Sequence, residues 1–461
     1  MRFATWPLCI LGVFAPLAVA SVDIDWTSDD SIKQGAGTIA YGLMKWYTGN
    51  HTGDVPGNLP DPYYWWEAGA MFGTLVDYWA YTGDESYVDE TYQALQHQIG
   101  DDGDFMPENQ TLTEGNDDQG FWAMAAMTAA ETNFKNPNST DGVQWLAAAQ
   151  AVFNEYVWRW EASNNTCGGG LRWQIFTFNT GYTYKNTISN GCFFNIASRL
   201  ARYTGNDSYA DWANTVYDWM DTVGFIDDDY NIYDGADSTN GSCSNPDKAQ
   251  WTYNAGIFMH GAAVMYNYTD GGEVWATRVN GLLKRTAAYF FDNNVIQEPP
   301  CEPQNTCTTD DYSFKGYALK WMSKAAQMMP SVYDTIQPLL LATGKAAAAT
   351  CTGTATGSEG ATLDGIACGF KWTTNTNDGT SGVGQQMSAL QAVLFTLSGP
   401  TPYTTSTGGT SSGDTGGGSD KTDKTVAGTT PITTGDRAGA GILTAMMLAG
   451  MLGGCGWMIM D

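Results

Sequence analysis

Histidine is nearly missing from this sequence: His51, His97 and His260 are the only three in 461 residues. They lie far apart, with no H-E-x-x-H spacing and no C-x-x-C pair, so no metal site is expected and a zinc hydrolase is disfavoured. No cofactor is implied either. Basic residues are also scarce, 21 against 49 acidic, giving a net charge of −28. Without a Lys/Arg stripe to neutralise phosphates, nucleic acid is not an expected partner. Charged residues of all kinds reach only 15%, below the roughly 25% of an average soluble protein. Aromatic residues, by contrast, reach 13%, with 18 Trp, and the hydrophobic fraction of 43% excludes a disordered chain. An acidic, aromatic-rich globular protein suits a neutral polar ligand such as a sugar.

The two ends read as addresses. Arg2 opens a short basic region, Trp6 to Ala15 is an apolar run, and Ala18-Val19-Ala20 offers small residues for cleavage. Residues 1–20 are therefore expected to be a secretory signal peptide. At the far end a mostly apolar stretch, Ile442 to Met460, follows a polar spacer, Thr430 to Arg437, and small residues around Ala427 and Gly428. That order matches a glycosylphosphatidylinositol (GPI) attachment signal, with residues 438–461 removed and membrane contact only through the lipid. A permanent transmembrane anchor would normally carry a basic stop, which is missing. Secretion makes cysteine informative. Once Cys9 and Cys455 leave with the processed ends, seven remain. Cys301–Cys307 and Cys351–Cys368 are expected as local bridges, Cys167–Cys243 as a link between loops, and Cys192 as a buried free thiol. Sequons at Asn50, Asn109, Asn138, Asn164, Asn206, Asn240 and Asn267 suggest a glycosylated surface.

Between residues 21 and 400 apolar residues recur at helical spacing, and no train of alternating strands is found. Helices are predicted over 31–48, 62–81, 118–134, 142–160, 190–203, 207–223, 252–268, 272–292, 312–328 and 383–397. Tyr81-Thr82-Gly83-Asp84 recurs as Tyr203-Thr204-Gly205-Asn206, with a weaker copy at Tyr268-Thr269-Asp270-Gly271. Each copy ends one helix at a glycine and caps the next. Stacked helical hairpins closing into a toroid of about twelve helices would fill the length; an open solenoid would carry the same repeat. Residues 401–437, almost all Thr, Ser, Gly and Asp, read as a flexible stalk holding the GPI attachment region. Its Gly409-Thr410-Ser411-Ser412-Gly413 matches G-x-S-x-G by letter, without the strand, helix or histidine that a nucleophile elbow needs.

Carboxylates carry the chemistry. Acidic runs occur at Asp29/Asp30, Asp101/Asp102, Asp117/Asp118, Asp227/Asp228/Asp229 and Asp310/Asp311. Only Asp117 and Asp118 lead from a Gly/Asn turn into an unusually apolar helix. Neighbouring residues of a first helical turn can hold carboxyl groups about 5–5.5 Å apart, the separation of a retaining glycosidase. The helix N-terminus favours ionisation of one, as a nucleophile needs. Burial and repulsion keep the other protonated, as an acid/base needs. A plain pair of helix caps is the alternative. Asp227–Asp229 is either a cation site or a solvated loop, and its spacing is not that of an EF-hand.

Four motifs give this pair a context: Tyr63-Tyr64-Trp65-Trp66-Glu67-Ala68-Gly69, Gly115-Asn116-Asp117-Asp118-Gln119, Cys167-Gly168-Gly169-Gly170-Leu171-Arg172-Trp173-Gln174 and Trp251-Thr252-Tyr253-Asn254-Ala255-Gly256. In order and spacing they resemble glycoside hydrolase family 76, in its fungal cell-wall branch of mannan endo-1,6-α-mannosidases, over about residues 22–400. The resemblance implies an all-α (α/α)6 barrel as a single catalytic domain and a retaining mechanism on α-1,6-mannosides. It makes Asp117 the nucleophile and Asp118 the acid/base. Gly120 departs from the expected alanine. The branch also implies a transglycosidase that takes an α-1,6-mannan or GPI-core mannoside as donor and β-glucan as acceptor, at the cell surface. Sugar stacking is expected from Trp65, Trp66, Trp122, Trp173, Trp251 and Tyr253. Asn116, Gln119, Arg172 and Asn254 are expected to orient hydroxyls. A silent mannan-binding or structural wall protein is the competing reading, and it has no need of two adjacent carboxylates.

Overall fold

The computed structural model describes residues 22–138, 141–163, 166–418 and 444. The expected signal peptide, the sequon asparagine Asn164, the attachment region around Ala427 and the apolar tail, Thr444 apart, lie outside the described residues. Among the described residues twelve α-helices alternate in chain order between an outer and an inner ring: α1 (Asp29–Met44) and α2 (Trp65–Thr82), α3 (Val88–Gln98) and α4 (Asn116–Glu131), α5 (Trp145–Ser163) and α6 (Thr187–Thr204), α7 (Asp207–Thr222) and α8 (Thr252–Tyr268), α9 (Glu273–Phe290) and α10 (Asp311–Met328), α11 (Tyr333–Ala349) and α12 (Val383–Leu394). Each even-numbered helix packs on the next, from α2 through α12, and α12 returns to α2. The fold is an (α/α)6 barrel.

The two rings differ in the way their sequences demand. Inner helices are buried on every side, and small residues let them approach closely. A Cβ on Gly69 would sit 2.8 Å from the Trp122 indole, and one on Gly73 would sit 3.0 Å from Ala125 Cβ. Among outer helices α7 buries one stripe, covering Tyr209, Ala213, Val216, Tyr217 and Met220 and leaving its Asp residues in water, whereas α5 is buried nearly all round. Trp, Tyr and Phe fill the space between rings, as where Phe193 meets Phe153, Tyr156, Trp160 and Trp212. The repeated Tyr-Thr-Gly segments end inner helices as expected: Gly83 and Gly205 are left-handed, at φ 76° and 73°, and return their N–H groups to the carbonyls of Trp79 and Ala201.

Two helices escape the periodic pattern. α11 carries Pro338 in its second turn, and α3 is short and rich in polar residues. Among the described residues three two-stranded antiparallel sheets also escape it: β1 (Tyr184–Asn186) with β2 (Gly235–Asp237), β3 (Phe291–Asp292) with β4 (Val295–Ile296), and β5 (Gly353–Thr356) with β6 (Thr362–Ala367). The bridges Cys167–Cys243, Cys301–Cys307 and Cys351–Cys368 are formed, and Cys192 is a buried free thiol.

The segment after residue 400 corrects an expectation. Instead of leaving the body as a flexible stalk, residues 401–418 run along it. Tyr403 donates its N–H to Glu131 O at 2.7 Å, Thr410 to Asn133 Oδ1 at 2.9 Å, and Asp414 to Gln150 Oε1 at 2.7 Å. Ser411, the serine of the G-x-S-x-G match, is buried and accepts the Leu146 N–H at 2.9 Å. A chain poor in apolar residues is held here through its backbone, which composition does not report. Among the described residues no helix is long and apolar enough to cross a membrane.

Candidate active site

Inner helices present their N-termini to one end of the barrel, and five of the six, α2, α4, α6, α8 and α10, ring a cavity of about 620 Å3. Five carboxyl groups line it: Glu114, Asp117, Asp118, Asp234 and Asp310. Among the described residues no Lys, Arg or His does. Converging helix N-termini supply the compensating positive potential.

Asp117 and Asp118 open α4. Asp118 Oδ2 accepts the Gly115 N–H at 2.6 Å, closing the first turn. Asp117 Oδ2 accepts Asn186 Nδ2 at 3.2 Å, and its Oδ1 has no hydrogen-bond partner. Burial and the neighbouring Asp118 push the Asp117 carboxyl well above its ordinary range. Burial lifts Asp118 to about 7, against the opposing Gly115 bond and with a further push from Asp310. Both carboxyls are thus pushed toward their protonated forms, and they titrate as a pair rather than separately.

The surrounding acids are set by their own neighbours. Glu114 is buried with neither carboxyl oxygen hydrogen-bonded, and burial and Asp118 push it well up. Asp310 is raised to about 6 by burial and by Asp311, while a side-chain bond from Trp66 opposes. Asp234 is raised by burial and receives the Tyr184 hydroxyl at 2.8 Å.

The glycine-rich motif reaches the cavity through backbone pairing. Asn116 N–H meets Trp173 O at 2.8 Å, and Gly115 bridges Gln174, so Trp173 is laid against the mouth at 38% exposure. Trp65, Trp66 and Tyr253 also line the wall. The remaining expected contacts stand behind it. Asn116 and Gln119 are buried, and their amide oxygens accept from Arg159, which also pairs with Glu155 at 2.7 Å. They hold the start of α4. Trp122 is fully buried, stacks on Trp65 and donates to Trp65 O. Arg172 turns away to Tyr182 O, Ser238 Oγ and Thr166 Oγ1, tying loops together. Trp251 packs edge-on against Phe314, and Asn254 is buried in α8. Asp227 accepts from Asn231 and Tyr233 in a self-contained turn.

Sequence reasoning missed Glu114, Asn186, Tyr184, Asp234 and Asp310 as wall residues. Asp310 stood in a visible acidic pair; nothing local marks Asn186 or Asp234. The departure at Gly120 has a steric cause: a Cβ there would lie 2.6 Å from both Cys192 Cβ and Tyr156 Oη.

Comparison with known proteins agrees with this geometry. The glycosyl hydrolase family 76 profile matches residues 31–406. Mannan endo-1,6-alpha-mannosidase DCW1 of Saccharomyces cerevisiae is 45% identical over 455 residues, covering 98% of each chain. Mannan endo-1,6-alpha-mannosidase DFG5 of Candida albicans is 44% identical over 449 residues, 96% of each. The crystal structure of Dfg5 from Chaetomium thermophilum in complex with glucosamine superposes with a TM-score of 0.80 at 44% identity, over 86% of this chain and 97% of that one. By profile, by identity along nearly its whole length and by barrel architecture, this chain belongs to glycoside hydrolase family 76.

Proposed function

We propose that this protein is a retaining glycosidase of α-1,6-mannoside linkages, with Asp117 as nucleophile and Asp118 as acid/base. The observation that carries the reading is the unlike pair at the start of α4: Asp117 with one oxygen free of hydrogen bonds, Asp118 pinned to Gly115 and lifted to about 7. Asp117 attacks the anomeric carbon while Asp118 gives its proton to the departing oxygen, leaving a mannosyl ester on Asp117. Asp118, now ionised, takes the proton of the incoming hydroxyl as the ester breaks. Water as acceptor gives hydrolysis; a sugar hydroxyl gives transfer.

For the donor, we favour the mannoside core of a GPI glycan over plain α-1,6-mannan. Five carboxyl groups and, among the described residues, no base line the cavity, so the ammonium of an amino sugar would meet oxygen acceptors and no repelling cation. Glucosamine is the sugar named in the complex of the Chaetomium relative. β-Glucan of the cell wall is the acceptor in this reading, and the secreted chain acts at the cell surface, tethered through its GPI lipid. Incubation with a GPI-core oligosaccharide, with and without β-glucan, followed by mass spectrometry, tests it. The expected result is glucan carrying the mannoside and, after trapping, a mannosyl adduct on the Asp117 peptide. Absence of both cleavage and adduct on every α-1,6-mannoside overturns the assignment.

A further inference from the structure

Beneath the catalytic cavity, separated from it by Phe121, which lines both, lies a second and much smaller cavity of about 20 Å3. It has room for a single water-sized occupant. Its walls include Gly69 and Gly73 of α2, Arg199 of α6, and Tyr317 and Lys320 of α10.

The charges around this cavity do not balance. Asp77 of α2 is fully buried and takes two lysines of α10: Lys320 Nζ at 2.7 Å from Oδ2 and Lys324 Nζ at 2.8 Å from Oδ1. Arg199 pairs with Glu131 at 2.7 Å and also donates to Met124 O and Thr128 Oγ1. Among the described residues this cluster holds three cations against two carboxylates, all of them buried except Lys320, whose side chain is 12% exposed. His260 reports the same surplus. It is buried beside Asn195, and burial together with Arg199, Lys324 and Lys320 drives its imidazole well below the ordinary range, so it adds no charge. An unpaired buried charge is strongly unfavourable.

We propose that the cavity between Arg199 and Lys320 binds one small monovalent anion, chloride under ordinary conditions. The site is independent of the substrate reading, because no residue assigned to catalysis or sugar binding contributes a charge to it. Lys320 offers ammonium protons not used by Asp77, and the Arg199 guanidinium lines the same space, so an anion there would face two cationic donors.

Bromide replaces chloride and scatters anomalously, so a crystal of the unmodified protein grown in sodium bromide is the direct probe. The expected result is an anomalous peak in this cavity, beside Lys320 Nζ and the Arg199 guanidinium. Thermal melting supplies a second measurement. At equal ionic strength, chloride should raise Tm by about 2 °C or more over gluconate, which is too large to enter. Lys320→Met should lose that increment, and the surface control Lys45→Gln should keep it. A peak-free cavity occupied by water, with Lys320 carrying no proton, overturns the proposal. So does a chloride increment of equal size in Lys320→Met. Should that variant fail to fold, the bromide experiment on the unmodified chain still decides.

Discussion

Asp118 accepts the amide of Gly115, three residues upstream, while its neighbour Asp117 reaches across to Asn186, the last residue of β1 and the N-cap of α6. Two consecutive side chains are thus fixed by unrelated partners, and their replacement should produce different failures. Asp117→Asn removes the proposed nucleophile, and turnover should fall by orders of magnitude on every substrate. Asp118→Asn removes the proton donor, which matters least when the leaving group is an activated phenol. That variant should still form the mannosyl ester on an aryl mannoside and then stall. Azide, needing no base, should release it as a mannosyl azide of retained configuration, detectable by NMR.

Asp310 pushes the Asp118 pKa upward from the start of α10. Removing this negative neighbour favours the ionised form of Asp118, so its pKa must fall. In Asp310→Asn the alkaline limb of the kcat/KM profile should move to lower pH by about half a unit. An unmoved limb with a raised KM would show that Asp310 only binds substrate.

Much of this site was legible and much was not, for reasons that differ by residue. Asp117 and Asp118 stand together in one motif, so their chemistry could be read from adjacency. The aromatic motif around Trp65 and Trp66 likewise reaches the wall as a unit. Asn116, Gln119 and Trp122 share the same short stretch, yet they turn outward to Arg159 and Trp65 because successive helical positions point about 100° apart. Asn186 and Asp234 come to the site only because β1 pairs with β2, with Asn186 opposite Gly235. That register joins segments distant in sequence, and no local pattern encodes it. Helix order was readable because inner helices need apolar residues on every face; ring closure was not, since the repeat suits an open solenoid equally and only the family resemblance implied a barrel. α11 was not, because Pro338 breaks the pattern while tertiary packing still holds the helix.

Buried acids also govern stability against pH. Glu155 and Glu298 are lifted to about 8, chiefly by burial, and Glu67 and Glu114 are raised well above their usual range for the same reason. Each binds its proton more tightly folded than unfolded. Their contribution is therefore complete below about pH 4.5 and is lost as pH rises toward 8. Tm should fall steadily from pH 5 to pH 8.5. Glu114→Gln keeps the shape without the ionisation, and its Tm profile should be measurably flatter over that range. A Tm that rises with pH would contradict the buried, protonated state of these acids.

The last expectation concerns Ser411, which lies in a polar, glycine-rich segment yet is buried against the start of α5. Its hydroxyl oxygen accepts the Leu146 N–H at 2.9 Å. Leu146 is the second residue of α5, where the amide has no intrahelical acceptor, so Ser411 performs from outside the helix the task of an N-cap side chain. Ser411→Ala would leave that buried amide unpaired and should cost about 0.5–2 kcal/mol, read by denaturant unfolding. Ser412→Ala, whose neighbour lies in water, should cost little, because Ser412 is held through its backbone N–H to Gln144 Oε1 at 3.0 Å. Truncation before residue 401 removes both bonds together with those from Tyr403 and Asp414. It should lower Tm further than Ser411→Ala while the first-turn geometry of α4, at the opposite end of that helix, continues to support activity. If truncation leaves Tm unchanged, residues 401–418 do not hold the barrel in solution, and the segment is the free stalk that its composition suggested.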